Sequence, residues 1–294
     1  MDDATTAFDD AAWHAGAPGA NAHGVEALVE AGKVLHFARL PFALQHGEES
    51  LLNLKFADGK AKNISLRGRE GVLRGAAGSA TEQAALQAMV TRFREHAGAL
   101  VDRLFPHYRG ALALGNTSYR PLPIEGRATS WRKDDTRLHV DAFPSNPTHG
   151  QRLLRVFSNI HPAGQPRHWR VGEPFEAFAQ RFLPRIKAPL PGSAWALHAL
   201  HITKSRRSAY DHYMLHLHDG VKADAAYQAT APQQHVDFLP GSTWVVYSDQ
   251  VLHAAMSGQF MLEQTFTLPT AALQAPQTAP VNVLQRLLGR PLLI

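Results

Sequence analysis

The chain has 294 residues, 45% of them hydrophobic, enough to bury the core of one large domain. Its 30 Lys and Arg against 25 Asp and Glu give a formal charge of +5 spread without a long basic block. This favours anionic partners, but with no zinc-finger or RNA-binding signature a nucleic-acid partner is not expected. Cysteine is absent, which excludes disulfides, thiolate zinc sites, iron–sulfur clusters and a cysteine nucleophile, and leaves His, Asp and Glu to hold any metal.

Residues 1–30, rich in Ala, Gly and Asp, predict a loosely ordered leader. The terminus Met1-Asp2-Asp3-Ala4 is acidic where a secretory signal would be basic, and no apolar run is long enough for a bilayer, so a cytoplasmic location is expected. Residues 34–37 and 51–56 read as strands, the second closed by the turn Ala57-Asp58-Gly59. A long helix follows. Ser79 and Glu82 fit a capping box, and Leu86, Met89, Val90, Phe93, Ala97, Leu100, Val101 and Leu104 trace one apolar face until Phe105-Pro106 stops it.

From about residue 110 onward, segments of alternating polarity between turn signals predict antiparallel strands. Helical insertions are expected at 174–182 and 208–227. The expected architecture is α+β: a double-stranded β-helix, the jelly-roll or cupin-like core, over 31–270 with flanking helices. Residues 271–294 form a C-terminal tail, in which Leu284, Leu287 and Leu288 beside Arg286 and Arg290 make a basic amphipathic piece. Such a piece lies on an anionic membrane face, or docks on its own domain or on a partner subunit.

The stretch carrying most chemistry is Arg137-Leu138-His139-Val140-Asp141. An imidazole and a carboxylate two residues apart on a strand share one face. His253, 114 positions after His139, supplies a third ligand. Two His and one carboxylate on one side of a metal leave the other side open, the donor set of non-haem Fe(II) oxygenases. With 17 His and 14 Asp, about one His-x-Asp match is expected by chance, and two occur. The second, His235-Val236-Asp237, is separated from His253 by the Pro240-Gly241 turn and reads as part of a neighbouring strand. A zinc alternative exists in His212 and His216 at i, i+4, with His218 nearby, but Tyr213 stands where a metalloprotease would carry its Glu. No Gly-x-Ser-x-Gly elbow and no phosphate-binding Gly-rich loop are present.

Several blocks, in order from about 120 to 270, carry a family resemblance. They are Thr136 to Pro144, Leu154 to Ile160, Trp169 to Phe175, Tyr210-Asp211-His212 with Leu217-His218-Asp219, Pro240 to Trp244, Ser248 to His253, and Leu262 to Phe266. Together they resemble the 3-deoxy-D-manno-oct-2-ulosonic acid (Kdo) 3-hydroxylases, within the Fe(II) and 2-oxoglutarate dependent dioxygenases. The resemblance implies Fe(II) held by His139, Asp141 and His253, with 2-oxoglutarate and O2 as co-substrates and Kdo-bearing lipid A as substrate. A peripheral place on the cytoplasmic face of the inner membrane would suit that substrate.

In this superfamily an Arg about ten residues after the distal His commonly meets the far carboxylate of 2-oxoglutarate, but here Glu263 and Gln264 occupy that region. Arg155 is the candidate in its place, because a charge amid apolar strand residues is costly unless paired, with Asn159, Gln264 and Thr265 adding hydrogen bonds. For the anionic substrate the candidates are Arg127, Arg132, Lys133 and Arg137, clustered before the iron motif, with Trp131 and Phe143 packing on the sugar. A non-catalytic jelly-roll binder of sugars or acids is the alternative reading.

Overall fold

The computed structural model describes residues 3–9, 12–14, 24–67, 71–126 and 129–293. Among them lie, in chain order, β1 (Thr5–Phe8), α1 (Val25–Glu30), β2 (Val34–Phe37), β3 (Ile64–Arg67), β4 (Val72–Arg74), α2 (Ala80–Leu104), β5 (Ala113–Arg120), β6 (Arg152–Asn159) and β7 (Arg167–Gly172). After these come α3 (Phe175–Phe182), α4 (Ser193–Ala199), α5 (Ala209–Ala223), α6 (Ala225–Thr230), β8 (Gln233–Phe238), β9 (Thr243–Tyr247), β10 (His253–Ser257), β11 (Met261–Leu268) and α7 (Pro280–Leu288). The result is a mixed α+β architecture dominated by one large sheet.

That sheet has eight strands in the order β1-β2-β9-β6-β11-β5-β3-β4, antiparallel throughout except for the β1–β2 pair. A three-stranded antiparallel sheet, β10-β7-β8, faces it. Between them Phe157, Trp244, Val246 and Met261 of the large sheet meet Trp169, Val171, Phe238 and Ala255 of the small one. Phe238 stacks on Trp244 at 4.0 Å and Trp169 stands edge-on to the same indole at 5.7 Å. These rings hold the two sheets together at one end of the gap, and polar side chains line the rest of it.

The outer face of the large sheet is covered by α2, which forms because its ends are chemically marked. Ser79 accepts from the Glu82 amide while Glu82 reaches back to the Ser79 amide. All eight apolar positions named from the sequence are buried, and the helix packs on β5 and β11. In α3, Phe175, Phe178, Ala179 and Phe182 are likewise buried.

Elsewhere the chain departs from expectation. Residues 51–56 are not a strand. They contribute to two 3-10 turns, Glu48–Leu51 and Leu54–Phe56, because the Asn53 side chain accepts from the Lys55 amide and curls the chain, with Leu51 and Phe56 as buried anchors. The helix expected over 208–227 is two helices. Asp224 leaves the helical conformation and its carboxylate caps α6 at the Tyr227 amide.

The described parts of the expected leader are built into the domain. β1 is an edge strand beside β2, and α1 buries Val25 and Val29. The C-terminal segment is docked too. Val281, Val283, Leu284 and Leu292 are buried, Arg286 pairs with Glu176 at 2.8 Å, and Arg290 donates to the Tyr213 hydroxyl. Leu287 and Leu288 are half-buried against the same core, so most of the apolar face is spent on the domain itself. One buried cluster runs from Trp13 to Leu292.

Candidate active site and metal centre

His139 and His253 are held by the backbone before their side chains do anything. They form an isolated antiparallel bridge, each amide donating to the other's carbonyl at 2.9 Å, and the Asp141 amide donates to Ser248 at 2.8 Å. Residues 139–141 are therefore a single bridge beside the start of β10 rather than the expected strand. The alternation that puts residues 139 and 141 on one face is nevertheless kept.

The side chains converge from there. The ligating atoms of His139, Asp141 and His253 all lie within 4.8 Å of one another, and among the described residues this is the one group of three or more His, Asp or Glu so arranged. Each imidazole uses Nδ1 on a main-chain carbonyl, His139 on Arg137 at 2.7 Å and His253 on Val251 at 2.8 Å. A carbonyl only accepts, so Nδ1 carries the proton and each Nε2 presents a lone pair. Trp169 stacks on the His253 ring at 5.0 Å, and His218 stands edge-on to His139 at 5.4 Å. Buried Oδ2 of Asp141 has no aligned hydrogen-bond donor, although the Arg155 guanidinium is 3.1 Å away. Two imidazole nitrogens and a carboxylate oxygen, each oriented and without a hydrogen-bond partner, fit a divalent iron site.

The electrostatics favour the protonation states a metal needs. Burial pushes the His139 imidazole well below its ordinary range, helped by His253 and Lys222, and burial lowers His253 as well. For Asp141 burial alone would raise the carboxyl, but the Arg155 guanidinium beside it outweighs burial and holds the group ionised.

Asp141 also begins a chain of alternating charges across the large sheet. Arg155 on β6 bridges Asp141 and Glu263, the latter at 2.9 Å. Glu263 on β11 pairs with Arg120 on β5, Arg120 stands 3.9 Å from Asp135, and Asp135 pairs with Lys62. Burial would raise the Glu263 carboxyl, yet Arg120 and Arg155 bring it below its ordinary value. Strand register creates this row. Thr265 of β11 faces Arg155, and Glu263 faces Phe157 on one side and Ser118 on the other.

All these groups border one cavity of about 800 Å³ between the sheets, lined also by Arg67, Asn116, Phe143, Arg167, Trp169 and Lys204. A volume of this size accommodates a small acid and a sugar together.

The chain matches the family of 3-deoxy-D-manno-oct-2-ulosonic acid (Kdo) hydroxylases over residues 13–291. It belongs to that family. A solved apo structure of the Kdo hydroxylase KdoO, a non-heme Fe(II) alpha-ketoglutarate dependent dioxygenase, is 46% identical, with a TM-score of 0.95 and 98% and 97% of the two chains covered. A structure of that enzyme with alpha-ketoglutarate and Fe(III) is 45% identical, with the same TM-score and the same coverage of both chains. One with succinate and Fe(III) is 44% identical at a TM-score of 0.94, again covering 98% and 97%. A comparison with curated proteins finds no match.

The other sequence candidates separate by strand parity and by whether they line the cavity. Arg155 and Thr265 line it. Gln264 does not. Alternate β11 residues face opposite sides, and its amide is turned away to accept from the Thr117 hydroxyl and donate to the Thr265 carbonyl. Asn159 sits at the end of β6, where its side chain donates to Gln165 and Phe238 and accepts from the His161 amide, a structural clamp outside the cavity.

Of the substrate candidates, Arg127 lies outside the described residues. Trp131, Arg132 and Arg137 are not cavity residues. Arg132 stacks on Trp131 and pairs with Asp219, while Arg137 pairs with Asp134 and donates to the Lys222 carbonyl. Phe143 does line the cavity. The basic residues that sequence reading missed are Lys62, Arg67, Arg120, Arg167 and Lys204, which come from four separated segments and share no local motif. His212 and His216 pack ring to ring at 4.3 Å on α5 without a third ligand among the described residues. In the second His-x-Asp match, Asp237 pairs with His168 on the exposed side of the small sheet.

Proposed function

We propose that this enzyme hydroxylates Kdo at its 3-position while the sugar is attached to lipid A. Its general chemistry is that of its family: an Fe(II) and 2-oxoglutarate dependent dioxygenase that hydroxylates Kdo. The observation that carries the reading is the open-faced His139, Asp141 and His253 group facing a cavity large enough for two substrates. When bound there, Fe(II) with 2-oxoglutarate and O2 supplies the oxidising equivalents, with succinate and CO2 as co-products.

The residues of the chain bind, orient and balance charge. The backbone bridge keeps His139 and His253 at fixed separation, and the two Nδ1 contacts fix the tautomers. Lys62, Arg120 and Arg155 are matched by Asp135, Asp141 and Glu263, so the row is neutral as it stands. A dication at Asp141 and a dianionic 2-oxoglutarate therefore enter as a balanced pair. We assign the far carboxylate of 2-oxoglutarate to Arg155, with the Thr265 hydroxyl beside it. Arg67, Arg167 and Lys204, which line the same cavity, we assign to the anionic sugar, and Asn116 to its hydroxyls.

The two facing sheets are read as a double-stranded β-helix whose core lies within 31–270, with β1, α1 and the C-terminal segment packed onto it. A lipid-anchored substrate places the enzyme at the cytoplasmic face of the inner membrane. The test is aerobic incubation of the purified protein with Fe(II), 2-oxoglutarate and Kdo-bearing lipid A, following succinate and lipid mass, with His139→Ala as control. Succinate coupled to one added oxygen on C3 of the Kdo is expected. Succinate without a changed lipid would overturn the substrate assignment, and neither product from iron-loaded protein would favour the non-catalytic binder.

A further inference from the structure

If the sugar is carried on a lipid, as proposed above, the cavity must open toward a bilayer, and α7 is a poor contact for it because Val281, Val283 and Leu284 are buried in its own domain. A different surface has the composition for that contact. Of eight large hydrophobic residues exposed among the described residues, four fall in one 13-residue stretch: Leu190 at 77%, Trp195 at 61%, Leu200 at 70% and Ile202 at 51%. Folding has left them outside although the stretch is ordered by its own bonds. Ser193 donates to Leu190, Leu200 to Ala196 and Ile202 to Leu197, which ties both flanks to the short helix α4. Exposed apolar side chains this dense along one ordered stretch mark a contact site, and Trp with Leu and Ile is the composition that enters a headgroup layer.

The charge around them has one sign. No Asp or Glu occurs from residue 177 to residue 210, whereas Arg181, Arg185, Lys187, Lys204, Arg206 and Arg207 do. Arg181 and Arg185 pair with Glu173 and Asp224, while no ion pair among the described residues involves the other four. An apolar centre flanked by unneutralised cations complements an anionic bilayer better than it complements an ordinary protein surface.

This segment is also fastened to the rim of the active site. The Lys204 amide donates to the Ser145 carbonyl at 3.0 Å, Arg207 donates to the Pro144 carbonyl, and His149 Nε2 and the Ser205 hydroxyl are 2.9 Å apart. Lys204, Pro144 and Ser145 line the cavity itself. We infer that residues 187–207 are the surface by which the enzyme lies on an anionic phospholipid bilayer, with Leu190, Trp195, Leu200 and Ile202 entering the headgroup region beside the cavity mouth. The inference rests on the lipid-anchored substrate proposed above, and the experiment separates the two.

Full-length protein is sedimented with phosphatidylcholine vesicles made with or without phosphatidylglycerol, and turnover is measured separately on detergent-dispersed Kdo-bearing lipid. Binding is expected only to the anionic vesicles and should weaken as salt rises. Trp195→Asp combined with Leu200→Asp should lower vesicle binding about tenfold or more while leaving detergent-dispersed turnover unchanged. Lys187→Glu with Arg206→Glu should do the same, and Leu54→Asp, at an exposed apolar position outside the segment, should change neither. Wild-type protein that turns over dispersed lipid yet ignores anionic vesicles would overturn this surface and leave the substrate reading standing. Vesicle binding lost in the Trp195 and Leu200 variant, without turnover of the dispersed lipid, would support the surface and sink the substrate. If the variants instead change the mass of the free protein in velocity sedimentation and not its vesicle binding, the segment is an interface between protein copies and the inference fails.

Discussion

Glu263→Gln removes one charge from the centre of the row that links the metal site to the far edge of the sheet, with almost no change in shape. Glu263 is buried and meets Arg155 at 2.9 Å and Arg120 still closer. At an effective dielectric of about 20, the Arg155 contact alone is worth about 6 kcal/mol of Coulomb attraction, offset by the desolvation of both groups. Breaking a buried pair while leaving its cation in place costs about 3 kcal/mol at the lower end of the usual range, because the amide oxygen still accepts one hydrogen bond. That corresponds to a drop in melting temperature of about 5 °C for a chain of this size.

The effect on the metal follows from Arg155. Released from Glu263, its guanidinium interacts more strongly with Asp141 and competes with a cation for the same oxygens. Metal affinity should fall about tenfold, the usual size of such outer-contact effects. Calorimetric titration of the apoprotein with Co(II), alongside thermal unfolding, measures both. An unchanged affinity together with an unchanged melting temperature would refute the claim that the row is coupled to the site.

Four further outcomes are expected. Because burial depresses the His139 and His253 imidazoles, both stay neutral below the ordinary imidazole pKa. Co(II) absorption titrated from pH 8 downward should persist through about pH 6 and vanish only in more acidic solution. The same depression means that the unfolded chain binds protons first, so the metal-free protein should lose stability as pH falls below about 6.5. Trp169→Ala removes the ring stacked on His253 and wedged against Phe157 and Trp244, and should cost about 3–5 kcal/mol in denaturant unfolding, with weaker metal binding. Arg132→Ala, whose guanidinium points at Asp219 outside the cavity, should leave KM for the Kdo substrate unchanged, whereas Arg67→Ala should raise it about tenfold.

Much of the site could be read from the sequence because its ligands obey a local rule. Two positions on an extended chain share a face, and His253 follows a marked turn and an apolar strand. The amphipathic stripe of α2 was equally legible, since burial repeats at helical spacing along a capped segment. What failed were readings that depend on partners elsewhere in the chain. Gln264 and Thr265 are neighbours in sequence but face opposite sides of β11, and which side holds the cavity is set by pairing with β5 and β6. Lys62, Asp135 and Arg120 become one network only when β3, β5 and β11 align. Asp224 breaks a helix because its carboxylate finds the Tyr227 amide, a choice the apolar pattern on either side does not record. The tail of residues 281–294 displays its amphipathic character plainly, but such a pattern does not say whether lipid or α3 and α5 will cover it.

The paired main-chain bonds between His139 and His253 also bear on how the enzyme handles its metal. The two imidazoles belong to segments more than a hundred residues apart, yet separating them requires breaking both 2.9 Å contacts at once. The ordering of these ligands is thus completed during folding of the sheets, before any ion arrives. A chelator should strip the iron and leave the folded chain intact, and fresh Fe(II) should restore it without a refolding step. For an enzyme whose reactive metal is prone to oxidation and loss, this makes the protein a reusable mould rather than a fold that depends on its ion.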